Sequence, residues 1–417
     1  MSGTRPDGHV APAGAGARRH AAALAQWPWW AQVLAVAVLG RAVSAGILLL
    51  VARSQEANLW TDASPSYLEY TGLMWDASWY REIAESGYPS ELPRGADGRV
   101  QQNAWAFFPL FPAMARVVMT ATGAPWQVVA PVLATVLGVV AMLVVHQVVA
   151  AGVGPVPSLR ALPLATVAVV STFAAAPVLM AGYTESLALL LLAVALWCVV
   201  RRHYVAALPV VLALGLTRAV ALPVAVAVLA HAAGRARQAR HGEPWPVRDK
   251  ALTGLLGGVA LASGLLWPAI CGAVTGEPDA YTLTQAAWRG RGEVVPLVPW
   301  LDVARWLFGS WGALVLTLVL ALAVVAVVTR PMRRLGPALQ GWTAGYLAYL
   351  VVVLEPGSSL VRFLVLAFPL AAVLAQLALR SRAPRTTLAS LLVLGVLGQL
   401  WWVWSLWRLV PPSGWPP

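Results

Sequence analysis

Apolar runs close to 20 residues long recur from residue 29 to residue 409, and no water-soluble core has room for so many of them. Wound as a helix rising 1.5 Å per residue, such a run crosses the ~30 Å hydrocarbon layer of a bilayer. The candidate spans are 29–52, 126–150, 161–181, 184–200, 204–218, 219–233, 251–274, 305–329, 337–354, 360–380 and 386–409. Charged residues make up 11% of the 417, whereas a soluble domain carries about a quarter. The chain is therefore expected to be an all-α polytopic membrane protein with about eleven transmembrane helices.

A net charge of +12 invites a nucleic-acid reading, but the basic residues sit mainly in short segments between apolar runs. That placement records membrane orientation, so no nucleic-acid partner is expected. The single lysine, Lys250, against 28 arginines reads as the mark of a GC-rich, bacterial genome. With the N-terminus inside, the inner segments hold 17 of the 29 basic residues, among them Arg160, Arg201, Arg202, Arg235, Arg330 and Arg380. Residues 53–125 carry eight acids against five arginines and fall outside. The expected location is a bacterial plasma membrane, with a cytoplasmic N-terminus.

The topology satisfies every connection only if 105–122 ("WAFFPLFPAMARVVMTAT") lies along the outer surface as an amphipathic helix opened by its prolines. Residues 66–87 make a second interfacial helix. The expected organisation is a disordered cytoplasmic tail (1–24) and one transmembrane domain (25–417), whose first extracytoplasmic loop (53–125) bears both helices. The runs 204–218 and 219–233 are short, with "LTRA" between them, and a short or re-entrant hairpin there points to an internal cavity. Cys198 and Cys271 fall in apolar runs without redox or zinc spacing. The six histidines are dispersed, so no metal site and no cofactor is expected.

The stretch "LMWDASWYREIAESGYP" (73–89) is the most polar and aromatic piece of the first loop. On a helix, Asp76, Tyr80, Ile83 and Gly87 share one stripe, with Trp75 and Trp79 beside it. Arg81 pairs with Glu85 at i+4, and Glu82 falls elsewhere. One carboxylate is thus singled out among aromatics at the water–lipid boundary, where a general base can meet a lipid-linked donor and a polar acceptor. A plain aromatic anchor helix has the same pattern.

The run Trp75-Asp76-x-x-x-Tyr80-x-x-Ile83-Ala84-x-x-Gly87-Tyr88 resembles the first-loop motif of the PIG-V family, the second mannosyltransferase of GPI-anchor assembly. "FFPLFP" (Phe107 to Pro112) is similar to that family's next block. "YTES" (Tyr183 to Ser186), "TR" (Thr217, Arg218) and "SLVRF…FPL" (Ser359, Arg362, Phe363, Phe368 to Leu370) resemble further blocks in the same order. After "TR" the chain departs from the family, with Ala219 and Val220 where polar residues are the pattern.

The resemblance implies a GT-C glycosyltransferase, which uses a polyprenyl-phosphate sugar on the outer or lumenal face. It implies mannose transfer from a polyprenyl-phosphate-mannose donor to a glycan or glycolipid acceptor, with inversion and with Asp76 as the base. Trp75, Tyr80, Phe108 and Pro109 become candidate substrate contacts. A bacterial origin turns the acceptor towards a cell-envelope glycan or lipid.

Arginine suits a departing phosphate because its planar fork grips two oxygens. Arg218 and Arg362 are candidates, the alternative being structural pairing with Glu185 or Glu355. Arg41, in mid-span, reads as structural. Glu185 opens an outer helix, either as a dipole partner or lining the site. Arg289 and Arg291 of "WRGRGE" (288–293) are either phosphate receivers or part of a solvated loop. The competing functions are a GT-C enzyme for another sugar or acceptor, a transporter or flippase of lipid-linked sugars, and a non-catalytic scaffold.

Overall fold

The computed structural model describes residues 27–411, so the tail expected at 1–24 lies outside the described residues. α1 (Trp29–Ala52) precedes the three first-loop helices α2 (Tyr67–Gly72), α3 (Asp76–Ser86) and α4 (Leu110–Thr122). There follow α5 (Trp126–Val153), α6 (Leu162–Thr172), α7 (Glu185–Val200), α8 (Tyr204–Gly215), α9 (Ala221–Arg240) and α10 (Val247–Thr275). The remainder is α11 (Ala280–Arg289), α12 (Val298–Phe308), α13 (Gly312–Val328), α14 (Arg330–Arg333), α15 (Pro337–Val353), α16 (Leu360–Phe363), α17 (Pro369–Leu379) and α18 (Pro384–Trp402). No β-strand forms among the described residues beyond isolated bridges such as Arg94–Val100. The fold is all-α.

Each of the eleven predicted apolar segments is helical over most of its length. Among the described residues five helices are long and apolar enough to cross a membrane: α1, α5, α10, the pair α12–α13 and α18 with its short extension to Trp407. A sixth is obtained if Leu360–Ala367 and Pro369–Leu379, bent by 71°, count as one span. The remaining apolar runs form helices that are shorter, less apolar or interrupted. α6 stops at Phe173 and gives way to a 3₁₀ turn over Ala176–Met180 that carries Pro177. Pro369 lacks the N–H that would have joined α17 to the turn before it.

The first loop differs from expectation in one respect that matters. Residues 66–87 form two helices, not one, broken between Gly72 and Asp76. Ser66 starts the first with a capping box, its hydroxyl accepting from the Glu69 N–H while the Glu69 carboxylate accepts from the Ser66 N–H. The break is imposed by tertiary contacts. Trp126 donates its indole N–H to Gly72 O (2.7 Å), and Gly182 N–H donates to Thr71 O (2.9 Å). A Cβ on Gly72 would lie 2.9 Å from Gln127 Cα, so only glycine lets α2 press this closely on α5.

The second loop helix begins at Leu110, capped by Pro109, and ends at Gly123 in the left-handed region (φ 71°), as glycine favours. It buries Phe111 and Ala115 while Arg116 and Val117 face outwards. The short runs near 204–233 also differ in detail. α8 ends at Gly215, the chain unwinds through Thr217–Val220, and α9 continues to Arg240. In the unwound stretch Leu216 O accepts from Leu110 N–H (3.0 Å), so α4 satisfies a carbonyl that the broken hairpin leaves open.

Candidate active site

Asp76 opens α3, and its position is fixed from both sides. Trp75 adopts φ 58° and ψ −132°, a conformation that costs a bulky residue about 1–3 kcal/mol. The turn is held by the Trp75 indole N–H, which donates to Trp407 O at 2.7 Å, and by a tilted ring contact with Trp60, 5.3 Å between centroids. Asp76 N–H then donates to the Tyr183 hydroxyl at 3.1 Å. These anchors aim the carboxylate away from the loop and into the helices behind it.

There it meets a ladder of alternating charge. Asp76 Oδ2 lies 2.6 Å from Arg362 Nη2. Arg362 Nη1 lies 3.2 Å from Glu185 Oε1, and the same oxygen lies 2.7 Å from Arg218 Nη1. Glu185 is fully buried at the start of α7, and its Oε2 has no partner among the described residues. Arg218 also reaches Thr184 Oγ1 (3.3 Å), which lies 3.3 Å from the Tyr80 hydroxyl. Phe363 lies under both guanidinium groups, 4.5 Å from Arg218 Cζ and 5.0 Å from Arg362 Cζ. Two cations are thus held side by side at the cost of one buried acid.

A cavity of about 630 Å³ opens onto this ladder. Asp76, Tyr80, Phe107 and Phe108 line one side, and Arg218, Arg362 and Phe363 another. Tyr281, Gln285, Trp288 and Arg289 of α11 and Tyr346 and Tyr349 of α15 also line it. Burial pushes the Tyr80 phenol above its ordinary range, against a smaller opposing pull from Arg218, so it stays a neutral hydrogen-bonding group. Burial likewise raises Tyr281. Among the described residues no three His, Cys, Asp or Glu gather as a metal site.

Of the residues singled out in the sequence, Asp76, Tyr80, Phe108, Arg218, Arg289 and Arg362 share this cavity. Trp75 does not line it and acts from behind, through its bond to Trp407 O. Pro109 caps α4, outside the lining. Glu185 lies beneath the cavity, joined to both arginines. Arg291 stands at its edge, paired at 2.6 Å with Glu355, which does line it. Arg41 is buried in α1 and donates to Ala176 O (3.0 Å), away from the site. Glu82 and Glu85 are exposed, and Arg81 pairs with Glu85 at 2.9 Å.

Tyr346 and Tyr349 also line the cavity, and no motif marks them. They lie three residues apart on α15, within a run that otherwise reads as an ordinary span. Tyr183 stands inside "YTES", but only the fold shows that its hydroxyl holds the Asp76 backbone.

No family model matches this sequence, and no curated protein matches it. Eleven chains of solved structures do. One is the Archaeoglobus fulgidus oligosaccharyltransferase tethered to an acceptor peptide containing the NVT sequon, with 12% identity and a TM-score of 0.48. Its alignment covers 89% of this chain and 54% of the other. A second is the same oligosaccharyltransferase in complex with Zn and sulfate, with 13% identity, a TM-score of 0.44 and coverage of 92% and 54%. The chain spans about half the length of these structures. The resemblance to the PIG-V family rests on the motif residues themselves.

Proposed function

We propose that the chain is a membrane glycosyltransferase of the GT-C type. It transfers mannose from polyprenyl-phosphate-mannose to a glycan or lipid acceptor on the extracytoplasmic face, with the N-terminus cytoplasmic. The observation that carries this is a carboxylate and two anchored guanidinium groups facing one cavity ringed by aromatic side chains.

The charges suit a single phosphate. Arg218 and Arg362 pair with Asp76 and the buried Glu185, Arg289 lines the same cavity, and Arg291 and Glu355 neutralise each other. One positive charge is left over, the complement of a phosphodiester monoanion. The apolar part of the lining, with Val220, Gly264, Leu350 and Val353, suits a lipid tail. Ala219 and Val220, where the PIG-V pattern is polar, belong to that apolar wall.

In the reaction an acceptor hydroxyl attacks the anomeric carbon from the face opposite the phosphate. The new C–O bond forms as the bond to phosphate oxygen breaks, and the leaving phosphate keeps the electron pair. Asp76 takes the hydroxyl proton, a step worth ~10²–10⁴-fold. Arg218 and Arg362 receive the charge that develops on the phosphate. Because Arg362 holds Asp76 in the resting site, the arriving phosphate competes with Asp76 for that guanidinium. Inversion turns a β-linked donor into an α-mannoside. The choice of mannose rests on the PIG-V resemblance.

The test is transfer in membranes containing the full chain, with labelled polyprenyl donors that carry one phosphate or two, and mannose, glucose or N-acetylglucosamine. Labelled product only from the monophosphate mannose donor is expected. Transfer from the pyrophosphate donors alone overturns the charge argument, and transfer of another sugar overturns the mannose assignment.

A further inference from the structure

A second cavity of about 630 Å³ lies between α9 and α10, well separated in sequence from the first-loop residues. Val226 and Leu229 line it from α9, Gly254 and Gly258 from α10. Val226 and Leu229 are 41% and 70% exposed, so the cavity is an open groove on the outside of the helices. A Cβ built on Gly254 or Gly258 meets nothing within 4 Å. These two glycines, one turn apart, therefore leave space beside α10 instead of allowing a neighbouring helix to approach. From Lys250 to Leu261 the floor of the groove runs about 16 Å at the helical rise.

One end of this apolar groove has a different chemistry. Lys250 is exposed, and its ammonium lies 5.5 Å from the centre of the Trp245 ring. The Trp245 indole N–H is buried and without a partner among the described residues. Both line the groove, beside the first turn of a 29-residue helix whose free N–H groups favour an anion. Arg248 adds positive charge, and Arg237 and Arg240 end α9. Of the acids nearby, Glu243 is taken by Arg235 and Arg202, which leaves Asp249 as the opposing charge.

We propose that this groove binds an anionic phospholipid, with one acyl chain laid along Gly254 and Gly258 and the phosphate received by Lys250 and the Trp245 N–H. The charge at one end and the apolar floor match the two halves of such a molecule. A zwitterionic lipid offers the same chain and no net charge. The site is separate from the glycosyl-transfer cavity and does not depend on that assignment.

The test uses the full-length protein, delipidated in detergent and titrated with phosphatidylglycerol or phosphatidylcholine of identical chains, with bound lipid counted by native mass spectrometry. Phosphatidylglycerol is expected to bind about fivefold more tightly, the contribution of one lysine to an anionic headgroup. Lys250→Ala is expected to lose most of that preference. Gly258→Leu fills the groove and lowers retention of both, while the unfolding midpoint of the lipid-free variant shows that it has folded. Equal binding of the two lipids by the wild type, or an undiminished preference in Lys250→Ala, overturns the proposal. So does polyprenyl phosphate displacing phosphatidylglycerol from the wild type at equal concentration, which would give the groove to a lipid-linked sugar carrier.

Discussion

Arg362 and Asp76 meet at 2.6 Å across 286 residues of sequence, and the second nitrogen of the same guanidinium reaches Glu185 at 3.2 Å. One side chain therefore ties the first loop to the start of α7. The pairing puts a carboxylate and a phosphate-binding fork in direct competition.

Glu185 is the hidden member of this arrangement. Replacing it with Ala leaves the buried Arg362 and the partly buried Arg218 side by side without their common acid. Losing one partner of a buried pair costs about 3–5 kcal/mol. A lowered unfolding midpoint in detergent is expected together with a loss of transfer. Glu185→Gln keeps an acceptor oxygen and is expected to unfold at a higher temperature than Glu185→Ala. Equal stability of wild type and Glu185→Ala would show that the arginines need no anchor.

Arg362→Lys keeps the charge and removes the fork. A lysine cannot bridge Asp76 and Glu185 while also offering paired N–H groups to a phosphate. The expected result is a rise of about tenfold or more in donor KM, the size of a lost charge-assisted hydrogen bond. Steady-state transfer at varied donor concentration measures it. An unchanged KM removes Arg362 from the donor site.

The capping box of α2 predicts a pH effect. The Ser66 hydroxyl and N–H hold the Glu69 carboxyl below the ordinary carboxylate range. A group whose folded pKa is depressed stabilises the fold above its unfolded pKa, and that contribution fades as pH falls through the folded value. Glu69 is almost fully solvated, so the effect is small. The wild type is expected to lose a little stability in acid that Ser66→Ala has already lost at neutral pH. Parallel unfolding midpoints of the two proteins across the acid range would contradict this.

Orientation has its own test. Cys198 and Cys271 are both buried, so a new surface cysteine reports alone. Ser90→Cys in the first loop is expected to react with a membrane-impermeant maleimide on intact cells, and Arg240→Cys only after permeabilisation. The reverse pattern would turn the protein over in the membrane.

The sequence revealed its helices because apolar run length is a local property, and the charge between runs is equally local. It revealed Asp76 because helical spacing separates that acid from Glu82 and Glu85, which the structure leaves in solvent. What stayed hidden depends on contacts between distant segments. The break before Asp76 comes from Trp126 and Gly182 holding the end of α2, and nothing in 66–87 forbids a continuous helix. The interruptions at Phe173 and Pro369 were blurred for the same reason, since an apolar run shows where a helix has reason to form and not where a cavity asks it to stop; the one at Thr217 was legible, because "LTRA" parts two runs too short to be ordinary spans. Tyr346 and Tyr349 read as membrane filler until the fold turned them towards Arg218. Glu185 was legible as a helix-start acid, yet its two partners lie 33 and 177 residues away.

The most direct measurement is mannose transfer from labelled polyprenyl-phosphate-mannose in membranes holding equal amounts of wild type and Asp76→Asn. Asparagine keeps the size and the hydrogen-bonding reach of the side chain while removing its ability to take a proton. The expected result is a drop of about 10²–10⁴-fold in turnover for Asp76→Asn, with donor binding retained. Wild-type turnover in the Asn variant would contradict the assignment of Asp76 as the base.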